Sequence, residues 1–304
     1  MHISVLLKET INNLNIKKDG IYVDCTLGYG GHSLEILKRL DKGYLYCFDE
    51  DIEIINYAQE RLKDYHNFKI INDNYSNILT RLNALNITKV DGIIYDLGLS
   101  SYQIDNKDRG FSYMNDARLD MRMNVNKDKD AYYVINNYSE EDLLRIFYTY
   151  GEEKYSKNIV RNILKVRSTK KIETTKELSD IIIKSVPYSY KGHPAKKVFQ
   201  ALRIEVNDEL TNLEKSLKDA LELLNISGRL CVITFHSLED RIVKNIFNSK
   251  VKDNTPKDLP ISLFEEKYKL ITKKPIIPSE EEINNNSRSH SAKLRVIERI
   301  KLWN

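Results

Sequence analysis

A glycine-rich turn directly after an apolar run is the part of the chain whose residue types point most clearly to chemistry. The segment reads Val23-Asp24-Cys25-Thr26-Leu27-Gly28-Tyr29-Gly30-Gly31-His32-Ser33. Glycines let the backbone turn sharply and approach a ligand that a Cβ atom would block. The amide groups that open the following helix then face that ligand. A strand, an acid, a glycine turn and an amphipathic helix are typical of a nucleotide-cofactor loop in a doubly wound α/β fold.

The spacing Asp-x-x-x-Gly-x-Gly-Gly differs from the dinucleotide pattern and is closer to the loop of methyltransferases that use S-adenosylmethionine (SAM). A purely structural turn is the alternative. Asp49 follows about 20 residues later, where an acid can accept hydrogen bonds from both hydroxyls of a cofactor ribose. A helix cap is the other role open to Asp49, but Asp51 is better placed for it.

Polar residues also follow the next two predicted strands. Tyr75 offers a ring that can stack on an adenine, with a place in the core as the alternative. Asp96 ends the fourth strand, and strand carboxyl ends face the ligand in such sheets. Methyl transfer to an exocyclic amine needs acceptors that hold the N–H groups, and its rate comes mostly from positioning. Asp96, Ser100 and Ser101 are therefore candidate catalytic residues, although the usual amino-methyltransferase signature with two prolines is absent.

A second polar segment follows the buried run Leu230–Phe235. His236 is a candidate base or phosphate ligand there, with a hydrogen-bonded structural role as the alternative. Several charged residues in this segment and around 120 can equally form salt bridges that fix loops. These residues are Asp120, Arg122, Asp240 and Arg241.

These residues need a scaffold of alternating strands and helices. The predicted strands are Ile21–Val23, Tyr44–Phe48, Phe68–Ile71, Gly92–Leu97 and Leu230–Phe235. Apolar residues at helical spacing separate the first four, which predicts a parallel sheet. The runs Lys269–Ile277 and Lys293–Ile300 are expected to form an edge hairpin.

A helical region interrupts this pattern. Residues 103–125 are polar and loop-like, and Ser139–Pro187 reads as helices with capping residues at Ser139 and Thr174. A long amphipathic helix is then expected from Val206 to Leu224, closed by Gly228. The chain is therefore predicted to have an α/β domain in two parts, 1–104 and 205–304, around an inserted helical substrate-binding domain, 105–204.

Composition is that of a globular protein, with 304 residues, 41% hydrophobic and 30% charged. No apolar run approaches the roughly 20 residues of a membrane span, and early charges exclude a secretory signal. The expected location is the cytoplasm, without a membrane partner. Cys25, Cys47 and Cys231 lie in strand patterns and are expected to be reduced core residues. The histidines show no zinc-like spacing, so no metal is predicted.

Charge is unevenly distributed along the chain. Between Gly151 and Arg203 there are 13 Lys/Arg and 5 Asp/Glu, or +8, against +4 for the whole chain. Such a block suggests a polyanion such as nucleic acid, with a solvated lysine-rich surface as the alternative. The candidate RNA-binding residues are Arg109, Arg122, Lys165, Arg167, Lys170, Lys171, Arg203 and Arg241.

A series of longer motifs runs in order through the chain. They include His2-x-x-Val5-Leu6-Leu7-x-Glu9, Gly28-x-Gly30-Gly31-His32-Ser33, Asp96-Leu97-Gly98-x-Ser100-Ser101-x-Gln103-x-Asp105, Arg109-Gly110-Phe111-Ser112, Leu119-Asp120-Met121-Arg122-Met123, Phe199-Gln200-Ala201-Leu202-Arg203-Ile204, Phe235-His236-Ser237-Leu238-Glu239-Asp240-Arg241 and Arg288-Ser289-x-Ser291-Ala292-x-Leu294-Arg295. Over essentially its whole length the chain resembles the MraW/RsmH methyltransferase family.

The resemblance implies a Rossmann-like SAM methyltransferase sheet with an inserted helical domain. It implies N4-methylation of a cytidine in the decoding region of bacterial small-subunit (16S) rRNA, on free rRNA or on an assembling 30S subunit. The matching cofactor positions are Gly30, Gly31, His32, Asp49, Tyr75, Asp96 and Gln103. Tyr102, Ser287 and His290 depart from residues common in the family. The oligomeric state, including a homodimer, is left open.

Two other functions are weighed against this one. A non-catalytic rRNA-binding assembly factor on a methyltransferase fold is the first, but the intact Gly28–His32 loop with Asp49 and Asp96 argues against it. A nicotinamide-dependent oxidoreductase on a similar sheet is the second. Direct in-line transfer from SAM, without a covalent cysteine adduct, is expected because no cysteine follows a strand end that faces the target.

Overall fold

The structure, a computed structural model, describes residues 4–253 and 265–301. It divides into two compact units, one comprising the chain up to Gly98 and again from Leu210 onward, the other comprising Leu99–Glu209. The predicted domain borders, at 104/105 and 204/205, lie a few residues inside the second unit. His2 of the first motif lies outside the described residues.

The elements alternate along the first unit and are helical in the second. The strands are β1 (Ile21–Asp24), β2 (Tyr44–Asp49), β3 (Phe68–Asn72), β4 (Val90–Asp96), β5 (Leu224–Thr234), β6 (Tyr268–Leu270) and β7 (Lys293–Arg299). The helices are α1 (Leu7–Leu14), α2 (Gly31–Leu37), α3 (Ile52–Leu62), α4 (Ile78–Ala84), α5 (Ser101–Asp105), α6 (Ala131–Asn137), α7 (Glu140–Thr149), α8 (Ser156–Arg167), α9 (Thr175–Ser185), α10 (Ala195–Asn207), α11 (Glu209–Leu223), α12 (Ser237–Val251) and α13 (Glu280–Asn285).

The first unit is built on one sheet with the strand order β3-β2-β1-β4-β5-β7-β6. The first five strands in this order run parallel, while β7 pairs antiparallel with both β5 and β6. The predicted parallel sheet, its assembly from both parts of the chain and the edge hairpin are therefore confirmed. Apolar residues on both faces of β1, β2, β4 and β5 are buried in two clusters under the helices, as expected of parallel strands. The carboxyl ends of β1, β2 and β4 consequently lie next to one another.

The prediction of one long helix from Val206 to Leu224 is wrong in two respects. The backbone breaks at Asp208, which takes a left-handed conformation (φ 53°) between α10 and α11. Gly228 does not close the helix, because α11 ends at Leu223 and Gly228 lies within β5. Apolar residues recur at helical spacing on both sides of the break, but they are buried in different cores. Val206 lies in the core of the second unit and Leu213 in that of the first.

The second unit is made of short helices around its own core. The predicted caps are confirmed: Ser139 accepts a hydrogen bond from the N–H of Asp142, and Thr174 forms a capping box with Glu177. The polar segment 103–125 is largely irregular, as expected, although the end of α5 and a short 3-10 helix (Lys107–Arg109) fall within it. Among the residues that the structure describes, no helix has both the length and the apolar character needed to cross a bilayer.

Candidate cofactor site

A buried acid at the end of β1 fixes the start of the glycine turn. Asp24 is 1% exposed. Its Oδ2 accepts a hydrogen bond from Ser33 Oγ at 2.7 Å, and its Oδ1 accepts one from the N–H of Thr26 at 3.1 Å. Burial raises the pKa of Asp24 to about 6, and these hydrogen bonds oppose the rise. Asp24 thus ties the end of β1 to the first turn of α2.

The glycines between these points have separate structural reasons. Gly28 and Gly30 have positive φ angles of 50° and 74°, which favour glycine. The N–H of Gly30 donates to the carbonyl of Leu27 at 2.7 Å and closes the turn. Gly31 has an ordinary backbone, but a Cβ there would collide with Ser4 Oγ. The backbone of the turn can therefore approach a ligand at Gly28 and Gly30, while Gly31 packs closely against Ser4.

Asp49 connects the end of β2 to this turn. Its Oδ2 accepts a hydrogen bond from the N–H of Gly28 and its Oδ1 one from the N–H of Asp51, both at 3.0 Å. Burial raises the pKa of Asp49 to about 7, while the two N–H groups oppose the rise. Asp51 caps α3 by accepting a hydrogen bond from the N–H of Glu53 at 3.2 Å. The prediction that Asp51, and not Asp49, caps this helix is confirmed.

Asp96, at the end of β4, carries a buried acceptor atom. Its backbone N–H donates to Thr26 Oγ1 at 2.6 Å, and its Oδ2 lies 3.5 Å from His32 Nδ1. Its Oδ1 is buried and has no hydrogen-bond partner among the described residues. Burial raises the pKa of Asp96 well above its usual range, and the charges of Asp24 and Glu239 add to the rise. A buried acceptor without a partner costs about 1–3 kcal/mol, so this atom suits a ligand that donates an N–H.

Tyr75 lies beyond β3 and is partly buried. Its ring packs edge-on against Tyr95, with 5.6 Å between the centroids. Its carbonyl accepts a hydrogen bond from Ser216 Oγ at 2.8 Å. One side of Tyr75 thus belongs to the core, and stacking of its ring on an adenine stays a prediction. Next to it, the Asn74 side chain donates to Glu50 Oε1 at 2.9 Å and joins the ends of β3 and β2.

The segment after β5 has structural hydrogen bonds. His236 and Glu239 form the capping box of α12, and His236 Nε2 lies 3.1 Å from Glu239 Oε1. The N–H of Phe235 also donates to Glu239, at 2.8 Å. Asp240 binds the Arg295 guanidinium through both oxygens, at 2.7 and 3.1 Å. His236 and Asp240 therefore have the structural roles weighed for them above, and catalysis by His236 stays a prediction.

The second unit holds the remaining candidates. Ser100 and Gln103 form a capping box at the start of α5, where Ser100 accepts from the N–H of Gln103 at 3.2 Å. The side chain of Ser101 lies outside the described part of the chain. A cofactor contact by Gln103 and a catalytic role for Ser100 or Ser101 stay predictions.

Four arginines proposed to bind RNA are engaged within the second unit. Arg109 donates to the carbonyls of residues 122 and 123, and Arg167 donates to those of residues 135 and 138. Arg122 binds both oxygens of Asp120, and Arg203 both oxygens of Glu209. These guanidinium groups hold loops and helix ends together. By contrast, the side chains of Lys165 and Lys171 are exposed, as is that of Arg241 in the first unit. Lys170 is also exposed, but its ammonium group is paired with Glu177.

Sequence reasoning missed two contributors to the site. Thr26 binds the backbone of Asp96, and Ser33 binds the carboxylate of Asp24. Both lie within the glycine-rich segment, but only the fold shows that their hydroxyls face these partners.

A parallel sheet, a glycine turn and acids at neighbouring strand ends together define an α/β protein that binds a nucleotide cofactor.

Comparisons with known proteins give the family. A model of the MraW methylase family matches residues 1–300. The chain is 57% identical over 305 residues to a ribosomal RNA small subunit methyltransferase H of Clostridium botulinum strain Loch Maree, covering 98% of this chain and 99% of the relative. It is 56% identical to the protein of the same name from strain Kyoto, with the same coverage. A solved rRNA methylase from Streptococcus thermophilus matches with a TM-score of 0.44 and 11% identity, covering 97% of this chain and 94% of that one.

The chain belongs to the MraW methylase family, as its motifs predicted. It is therefore a SAM-dependent methyltransferase, and the predicted cofactor is confirmed. The strand-end residues fit SAM. A carboxylate at Asp49 suits ribose hydroxyls, and Asp96 Oδ1, without a partner in ranges 4–253 and 265–301, suits an N–H donor. When bound, SAM supplies a methyl group on a positively charged sulfur.

Proposed function

We propose that this protein transfers the methyl group of SAM to the N4 atom of a cytidine in the decoding region of small-subunit rRNA. The relatives at 57% identity bear the name ribosomal RNA small subunit methyltransferase H, and their match extends over nearly the whole chain. The observation that carries the site assignment is the buried Oδ1 of Asp96 at the end of β4, which has no hydrogen-bond partner in the part of the chain that the structure describes. The proposed cofactor residues are Gly30, Gly31, His32, Asp49, Tyr75, Asp96 and Gln103.

Catalysis by this site rests on positioning. The lone pair of a cytosine amino group is delocalised into the ring, so the nitrogen must be held for in-line attack on the methyl group. Asp96 can hold an N–H of that amine through its buried oxygen. Bound SAM would supply the methyl group to the in-line nitrogen, and the products would be S-adenosylhomocysteine, the methylated amine and one proton released to solvent. Holding the reactants in this geometry supplies most of the rate.

Cysteine nucleophiles have no place in this mechanism. Cys25, Cys47 and Cys231 are the three cysteines of the chain, and all are buried. Burial raises the pKa of each thiol, which disfavours the reactive thiolate. We therefore expect direct transfer, and trapping of a thiol-linked cytidine would contradict it.

The second unit is proposed to bind the RNA. Lys165, Lys170 and Lys171 are exposed at and after the end of α8, where lysine ammonium groups can contact phosphates. Since ribosomal subunits are assembled in the cytoplasm, the proposed substrate places the protein there. Free rRNA and an assembling 30S subunit are both candidate substrates.

A methylation assay tests this proposal. Small-subunit rRNA that lacks the modification, free or as 30S subunits, is incubated with the protein and labelled SAM, and the product nucleoside is mapped by mass spectrometry. We expect label on cytidine N4 in the decoding region. Labelling elsewhere would refute the proposed specificity, and RNA binding without transfer would favour the assembly factor.

A further inference from the structure

A hydrogen bond joins the N-terminal segment of the first unit to its C-terminal part. The backbone N–H of Leu6 donates to Oε1 of Glu282 at 2.7 Å. Leu6 directly precedes α1, has a left-handed backbone (φ 48°) and buries its side chain completely. Its apolar side chain cannot cap α1. The Glu282 carboxylate therefore supplies both the acceptor and the negative charge that a helix N-terminus favours.

The segment that Glu282 holds lies against the glycine turn. Ser4 is buried, and its Oγ occupies the space that a Cβ on Gly31 would need. Only Val5 separates Ser4 from Leu6, so the contact that fixes Leu6 also restricts where Ser4 can lie. Gly31 is the first residue of α2, whose opening amides follow the proposed cofactor turn. A change at Glu282 can therefore reach the turn through Ser4.

Glu282 is itself held in place. Ser279 caps α13 by accepting a hydrogen bond from the N–H of Glu282 at 3.1 Å. The side chain of Glu282 is half-buried, whereas Glu281, the preceding residue of the same short helix, is exposed. The two glutamates thus differ in their contacts but share their residue type and helix, which makes Glu281 a matched control.

We propose that Glu282 is a positioning residue, which holds the Ser4–Leu6 segment against the glycine turn and thereby strengthens SAM binding. It holds this segment through Leu6 and Ser4 and does not touch the reacting atoms. Its charge also repels that of Asp96, an effect that Glu282→Asp preserves. The inference rests on the proposed cofactor site and adds to it a residue from the far end of the chain.

Three variants of the full chain test this role: Glu282→Ala, Glu282→Asp and the control Glu281→Ala. Aspartate keeps the charge but is one methylene shorter, so it cannot keep the bond to Leu6 without movement. We expect both Glu282 variants to raise the Kd for SAM about tenfold, as loss of a hydrogen bond to a charged group allows. The KM for SAM should rise with little change in kcat. Hydrogen exchange should become faster in residues 4–10 and 28–34, and Glu281→Ala should match the unchanged protein.

The result that would overturn the proposal is an unchanged Kd for SAM in both Glu282 variants. A lower melting temperature with the same Kd would also overturn it, since a merely structural role predicts that. If only Glu282→Ala weakens binding, charge and not position is responsible, and the proposal fails. Asp49→Ala distinguishes this from failure of the site itself: if Asp49→Ala binds SAM normally, the site assignment is wrong, whatever Glu282 does.

Discussion

Protonation of Asp49 should govern how SAM binding depends on pH. Its carboxylate lies between the N–H groups of Gly28 and Asp51, and burial raises its pKa to about 7. A ribose hydroxyl donates a stronger hydrogen bond to an ionised carboxylate than to a neutral one. SAM should therefore bind the ionised form and lower this pKa, which means that protons compete with the cofactor.

The size of the effect follows from the raised pKa. Below about pH 7, each further pH unit should weaken SAM binding about tenfold, or about 1.4 kcal/mol. Above about pH 8, where Asp49 is ionised in the free protein, the affinity should be level. An aspartate with the ordinary pKa of 3.8 would instead give a level profile from about pH 5 upward.

Calorimetric titration with SAM between about pH 5.5 and 8.5 measures this profile. Asp49→Asn removes the charge but keeps the size of the side chain, so its binding should be weak and should lose the tenfold slope that Asp49 causes near pH 7. Asp41→Asn changes an exposed aspartate and serves as the control, with the profile of the unchanged protein. A level profile in the unchanged protein, or the same slope in Asp49→Asn, would refute the reasoning.

Three further predictions concern stability and RNA binding. Because the pKa of Asp24 is raised to about 6, its ionisation should lower the free energy of unfolding as the pH rises from about 4 to 6. In urea unfolding, the stability of Asp24→Asn relative to the unchanged protein should therefore increase by up to about 3 kcal/mol across this range. A difference that stays constant with pH would contradict this. Arg167→Ala should lower the free energy of unfolding by about 2–3 kcal/mol because it removes hydrogen bonds to two carbonyls. The control Lys165→Ala should change this free energy by no more than about 0.5 kcal/mol. Equal melting temperatures for the two variants would argue against the anchoring role of Arg167. Replacing Lys165 and Lys171 by Gln should reduce the salt slope of RNA binding by about 1.4, and an unaltered slope would mean that these lysines are only a solvated surface.

The sequence predicted those features of the fold that are determined by residues close together along the chain. The glycine turn, the strand-end acids and the caps at Asp51, Ser139 and Thr174 depend on short segments, and the structure has them where the sequence placed them. The break at Asp208 was missed because apolar spacing reports which face is buried and not whether the backbone is continuous.

The site was harder to predict where its contacts are distant in sequence. Arg109 and Arg167 look like RNA contacts by charge, but each binds backbone carbonyls that only the folded unit brings within reach. The bond between Leu6 and Glu282 spans almost the whole chain, and no spacing rule relates two such positions. Residue types thus indicated the chemistry, while tertiary packing decided which side chains were available for it.

A crystal structure of the protein with SAM or its demethylated product tests the central claim most directly. The account predicts that the ribose hydroxyls lie within hydrogen-bond distance of the Asp49 carboxylate. It also predicts that an N–H of the bound molecule or of a bound cytidine meets Asp96 Oδ1. A cofactor bound away from the ends of β1, β2 and β4 would contradict it.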